Sequence, residues 1–175
     1  MHESERNRLE KRRRALSLAA ADMKQAIAAT EALEREASSV PLMLALETAI
    51  VVCYARPFTS SSLLRLPVDE YRPDREALAF YHDSLYEMRN RKYAHTDKDS
   101  ERDALVLLHG DVGDQHEASS VGWTWTWKPL SREWLPSIRS LCEHQYLRFV
   151  SELLDIERLL HEFEADSIVD GGPHT

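Results

Sequence analysis

The stretch CEHQYLRFVSELLDIERLLHEF, Cys142 to Phe163, decides the fold class. Cys142, Tyr146, Phe149, Leu153, Ile156, Leu160 and Phe163 follow one another at alternating steps of four and three. An α-helix gathers such residues onto one narrow stripe, which fits the seam of a bundle or of a dimer. The predicted helix runs from about Arg132 to Ala165, with Ser131 as its cap. Asp166 to Thr175, with Gly171-Gly172-Pro173, reads as a loose tail.

Upstream, three more helices are predicted. In the first, about Glu5 to Ala37, Leu9, Leu16, Met23 and Thr30 recur every seven residues, and Ala20 and Ile27 fill the gaps. Its Lys11-Arg12-Arg13-Arg14 run reads as a solvated helical face interleaved with Glu; a bare basic tetrad is weakly specific for nucleic acid. Ser38-Ser39-Val40-Pro41 breaks and restarts the chain, with Ser39 as cap. Leu42 to Ala55 is almost wholly apolar and reads as a central helix buried on most sides. Glu47 in its middle needs a cation or strong donors, or else marks the one wet edge. Asp74 is the predicted cap of a third helix, about Arg75 to His95, with the stripe Leu78, Tyr81, Leu85 and Met88.

The period then changes. Ala104 to His109 is a short apolar run, Gly110 to Asp114 supplies a turn, and Val121 to Trp127 alternates with Trp123, Trp125 and Trp127 on one face. This predicts a β-hairpin over about 104–128, whose Trp face packs on a helix or a second subunit, or stacks on bases. The expected architecture is a mostly α, up-and-down four-helix bundle over residues 1–165, with the hairpin inserted before the long last helix.

Composition bounds the function. The chain has 175 residues and a formal net charge of −8, against indiscriminate coating of nucleic acid. The excess acid is local: residues 130–175 carry four Arg and nine Asp or Glu, whereas Tyr86 to Arg102 carries five basic and four acidic residues. No apolar run reaches the roughly 18–20 residues of a membrane span, and Met1 to Arg14 is too polar for a secretory signal. Cys53 and Cys142 lie in apolar helical patterns and fit a reduced interior. A cytoplasmic protein with no membrane partner is expected.

The chemistry-bearing stretch is Tyr86 to Asp97. Arg89, Arg91 and Lys92 offer a phosphate electrostatic footing, and Arg binds it bidentately. His95 has a side chain that changes protonation near neutral pH, and Asn90 can donate and accept. In an unbroken helix Arg89 and His95 would lie roughly 120° apart and about 9 Å along the axis. They converge only through a long Arg arm, a helix end near Ala94, or a two-fold axis. No zinc spacing, calcium loop, glycine-rich phosphate loop or nucleophile elbow is present, so no metal and no cofactor is expected.

At these residues the chain resembles the HEPN family, the helical domain named for higher-eukaryote and prokaryote nucleotide-binding proteins. Its mark is an Arg, usually followed by a polar residue, and a His after four to six intervening positions. Arg89-Asn90 and His95 fit it, and Arg-Asn-x-x-Tyr-Ala-His-Thr-Asp is most similar to the branch of phage abortive-infection proteins. The resemblance in organisation covers most of residues 5–165; the specific match covers about ten. It implies a metal-independent endoribonuclease of toxin or phage-defence type, a homodimer with RNA as substrate and an antitoxin or other protein as partner. His95 would move the proton of the ribose 2′-hydroxyl or leaving oxygen, Arg89 would stabilise charge on phosphorus, and Asn90 would orient the phosphate or ribose. Arg91, Lys92 and Tyr93 would support them, and Glu47 is the candidate for the acidic residue many members carry on an earlier helix. Tyr93 precedes His95, unlike the toxin branch with a nucleotidyltransferase partner, so that partner is not implied. The competing expectation is a non-catalytic interaction or oligomerisation module, or an RNA-binding scaffold, with Arg89 in an ion pair and His95 ending a helix.

Overall fold

The computed structural model describes residues 3–35, 39–59, 65–90 and 130–169. These form four helices: α1 (Glu3–Arg35), α2 (Val40–Ala55), α3 (Glu76–Met88) and α4 (Leu135–Val169). Short 3₁₀ turns, Arg56–Phe58, Asp69–Tyr71 and Arg132–Trp134, join or precede them. The predicted hairpin at 104–128 lies outside the described residues, among which no strand occurs; of the predicted tail, 166–175, residues 166–169 belong to α4 and 170–175 lie outside the described residues.

Side-chain pairs fix the helix directions. Arg12 meets Glu152, Arg13 meets Glu157, and Glu34 meets Arg139, so numbers rise on α1 as they fall on α4. Asp22 pairs with Arg56 and Gln25 with Cys53, which makes α2 antiparallel to α1 as well. Tyr71, just before α3, touches Phe149, and Tyr81 touches Trp134 ahead of α4. Hence α3 runs against α4, and the order is up, down, up, down.

The stripes predicted from periodicity are the core. Leu16, Met23 and Thr30 of α1 are fully buried, as are Cys142 and Phe149 of α4. Ile156 and Leu160 are also buried, and Tyr146, Leu153 and Phe163 are partly so. The α4 stripe is therefore a seam within the chain, packed chiefly on α1. Each large apolar side chain so buried stabilises the fold by roughly 1.5–3 kcal/mol. Where α2, the turns and α4 meet, the rings of Tyr54, Phe58, Tyr71 and Phe149 form a continuous aromatic centre.

Several local expectations are corrected. The central helix is buried only from Glu47 onward: Val40, Leu42 and Leu44 are 72%, 38% and 40% exposed. The register explains this, because α2 pairs with α1 at 53–56 against 22–25, so Val40 falls beyond the last turn of α1 at Arg35. The apolar stretch is also longer than expected. Val40–Phe58, 19 residues at mean hydropathy 1.4, is long and apolar enough to cross a membrane by length and composition alone. Here its second half is the bundle's core, with Ile50, Val51, Tyr54 and Phe58 fully buried. The α3 N-cap is Arg75 rather than Asp74, and its carbonyl accepts the Leu78 and Ala79 amides at 2.9 Å each. Ser39 sits at the α2 N-cap and Ser131 caps only the 3₁₀ turn before α4; neither side chain makes a capping bond.

The basic run on α1 is not simply solvated. Arg12 donates to the Tyr71 hydroxyl at 2.9 Å and to Glu152 at 3.0 Å, and Tyr71 donates to the same carboxylate at 2.8 Å. Arg148 lies over the Tyr71 ring at 4.5 Å. Part of the acidic excess of α4 thus ties down α1. Burial, then the Glu152 carboxylate, push the Tyr71 phenol well above its ordinary range. Glu152→Ala is expected to cost about 1–2 kcal/mol in urea unfolding, since the pair is partly exposed but two donors lose one acceptor. An unchanged midpoint would show the cluster to be ornamental.

Candidate functional site

The sequence-predicted site is divided by the boundary of the described residues. Arg91, Lys92, Tyr93 and His95 lie outside them, whereas Arg89, Asn90 and Glu47 lie inside. Arg89 and Asn90 leave α3 through a wider, π-type turn, and the Arg89 amide reaches back to the Leu85 and Tyr86 carbonyls. Such turns accommodate an extra residue within a helix end and recur at functional sites. Both side chains are partly exposed, and Arg89 Nη1 donates to Asn90 Oδ1 at 3.2 Å. A guanidinium at the C-terminal end of a helix also faces the favourable end of its dipole.

Glu47 is 3% exposed, which resolves the alternative left open by the sequence: it is not on a wet edge. Neither Glu47 nor Arg89 lacks an interaction partner. The helix register relates the two. Tyr54 of α2 and His82 of α3 meet side chain to side chain at 2.6 Å. Glu47 lies seven residues before Tyr54, and Arg89 seven residues after His82. Seven residues are close to two turns, so each stays on the face of its helix that confronts the other. Because α2 and α3 run in opposite senses, Glu47 and Arg89 come within about one helical turn of the same level. A buried carboxylate on α2 and the Arg-Asn pair ending α3 therefore belong to one end of the bundle.

One polar cluster was missed at the sequence level. His82 and Gln145 are fully buried, and His82 Nδ1 shares its hydrogen bond with the buried Tyr54 hydroxyl. Gln145 donates to the Tyr71 carbonyl at 2.6 Å and lies against the same Tyr54 hydroxyl. The signal was present, for His82 follows Leu78 by four residues and precedes Leu85 by three, on the apolar stripe itself. Burial holds the His82 pKa below its ordinary value, so the ring is neutral at pH 7.

The two thiols are buried and free. Burial pushes both above the usual thiol range, which keeps them in the unreactive form. Among the described residues no cluster of three or more His, Cys, Asp or Glu is placed to hold a metal ion. In comparisons with family models, with curated proteins and with solved structures, nothing matches this chain.

Proposed function

We propose that the chain is an HEPN-type protein that cleaves RNA without a metal, working as a cytoplasmic homodimer of the toxin or phage-defence kind. Arg89 balances the charge that develops on phosphorus, Asn90 orients the phosphate or ribose, and His95 transfers the proton at the 2′-hydroxyl or the leaving 5′-oxygen. Attack by the 2′-oxygen on phosphorus expels the 5′-oxygen and leaves a 2′,3′-cyclic phosphate. Arg91, Lys92 and Tyr93 support the grip on the backbone, and an antitoxin-like partner holds the activity in check. The observation that carries this reading is the placement of Arg89-Asn90 at the end of the third helix of a four-helix bundle, level with the buried Glu47.

The test incubates the purified full chain with a pool of defined RNAs in excess chelator. Fragments ending in cyclic phosphate, absent with His95→Ala, are the expected result. No cleavage of any RNA, or equal cleavage by the variant, would overturn the enzymatic reading. A second reading, a non-catalytic interaction module, has one observation in its favour. Leu147 and Leu154, seven residues apart on α4, are 65% and 66% exposed.

A further inference from the structure

We infer that His82 is an acid-operated latch, whose protonation releases α3 from the bundle while α1 and α4 stay paired. The inference holds whether or not the chain cleaves RNA, because it concerns only how α3 is seated.

The seat is dry. The His82 ring is fully buried, with the Phe58 ring against it at 5.4 Å and the Tyr54 ring at 5.8 Å, both edge-on. Nδ1 is matched by the Tyr54 hydroxyl, but Nε2 meets no hydrogen-bond partner among the described residues, nor does Gln145 Oε1. The Val68 carbonyl also faces the ring and favours its protonated form. A neutral imidazole suits this arrangement in either tautomer, with Nδ1 donating to the Tyr54 hydroxyl or accepting from it.

A second proton removes the arrangement. With both ring nitrogens protonated, the imidazolium brings a positive charge into a largely apolar setting. Every element around the ring bears on that charge. Asp83 beside it, Asp69 in the preceding turn and the Val68 carbonyl attract it, Arg72 repels it, Tyr54 and Phe58 offer only rings and a hydroxyl, and Gln145 is neutral. Desolvation outweighs the two carboxylates and the carbonyl, so the proton binds more readily once the ring reaches water.

The cheapest route to water is through α3. It is 13 residues long, too short to be helical on its own account, whereas α1 and α4 are 33 and 35 residues and share a long seam. Besides its buried face and the contacts of Phe80 and Tyr81 with Trp134, α3 is held by the Arg72–Asp83 clasp, three hydrogen bonds of 2.8–3.1 Å between exposed groups. Lifting α3 carries Arg89 and Asn90 away from the level of Glu47. Acid thus dismantles this end of the bundle first.

The sign follows from linkage. A histidine whose native pKa lies below 6.5 contributes stability that is complete above that pH and declines below it. Hydrogen exchange of the full chain, corrected for intrinsic rates, tests the latch between about pH 7.5 and 5. The opening constant of α3 amides is expected to rise by up to about tenfold per pH unit below 6.5, with α1 and α4 amides trailing. In His82→Gln the α3 amides should lose that dependence. The same dependence in the variant, or α1 and α4 opening together with α3, overturns the inference. If His82→Gln does not fold, the ring resonances of the unaltered protein decide. A ring that stays neutral until α3 opens supports the latch, and one that titrates near 6.5 in the closed fold refutes it.

Discussion

Phe149→Ala is expected to lower stability by about 3–5 kcal/mol, which is enough to unfold much of a marginally stable population. The Phe149 ring has no exposed surface and lies 5.1 Å from Tyr71 and 6.4 Å from Phe58, centroid to centroid. It is the meeting point of α4 with both turns that flank the connection between α2 and α3. Those neighbours cannot collapse into the vacated space. Tyr71 is held by Arg12 and Glu152, and its carbonyl is held by Gln145. The loss therefore includes the cavity as well as the transfer of the ring. Leu147→Ala, two residues away on the same helix, is the internal comparison. Leu147 is 65% exposed, so its removal should change stability by less than about 0.5 kcal/mol. Urea midpoints of the two variants check both; a small Phe149 effect would mean that the aromatic centre is not the core's keystone.

The second large effect falls on activity. Arg89→Ala should reduce RNA cleavage by about 10²–10³-fold, the usual consequence of removing a group that stabilises transition-state charge. Arg89→Lys keeps the charge but loses the planar fork, and a deficit of tenfold or more should remain. The lysine variant matters because it keeps a cation at the end of α3, near the level of the buried Glu47. Cleavage rates and urea midpoints are measured on the same preparations. Loss of cleavage with an unchanged midpoint assigns Arg89 to the reaction. Loss that tracks the midpoint assigns it to the fold, and the interaction-module reading gains.

What could be read from the sequence follows physical lines. The stripes of α1 and α4 were legible because polar residues alternate with apolar ones at a helical period, so composition itself marks the inner face. The exposure of Val40, Leu42 and Leu44 was not legible, because an almost wholly apolar run has no period. Its burial depends on where α1 ends, a tertiary fact. The unused caps at Ser39 and Ser131 were illegible for a related reason: residue type permits a capping bond, but side-chain orientation decides it. At the site, Arg89-Asn90 was recognisable as a local pattern, and Glu47 as a lone carboxylate among apolar neighbours. That both lie at one level could come only from the meeting of Tyr54 with His82. His82 itself was hidden by its type, since a polar residue on an apolar stripe reads as an interruption until its partner is known.

The antiparallel pairing of α1 with α4 also has a mechanical meaning. The beginning of α1 and the end of α4 lie side by side, at the opposite end of the bundle from Arg89, since Arg12 and Arg13 meet Glu152 and Glu157. A pull applied there would not slide the helices past each other against their whole seam. It would part them like a zipper, loading the Leu9, Leu160 and Phe163 end of the seam first, then the Arg13–Glu157 contact and the Arg12 cluster. Such a geometry yields at low force and in small steps. It would also begin far from Arg89, which lies near the level of Glu47, toward the other end of α1.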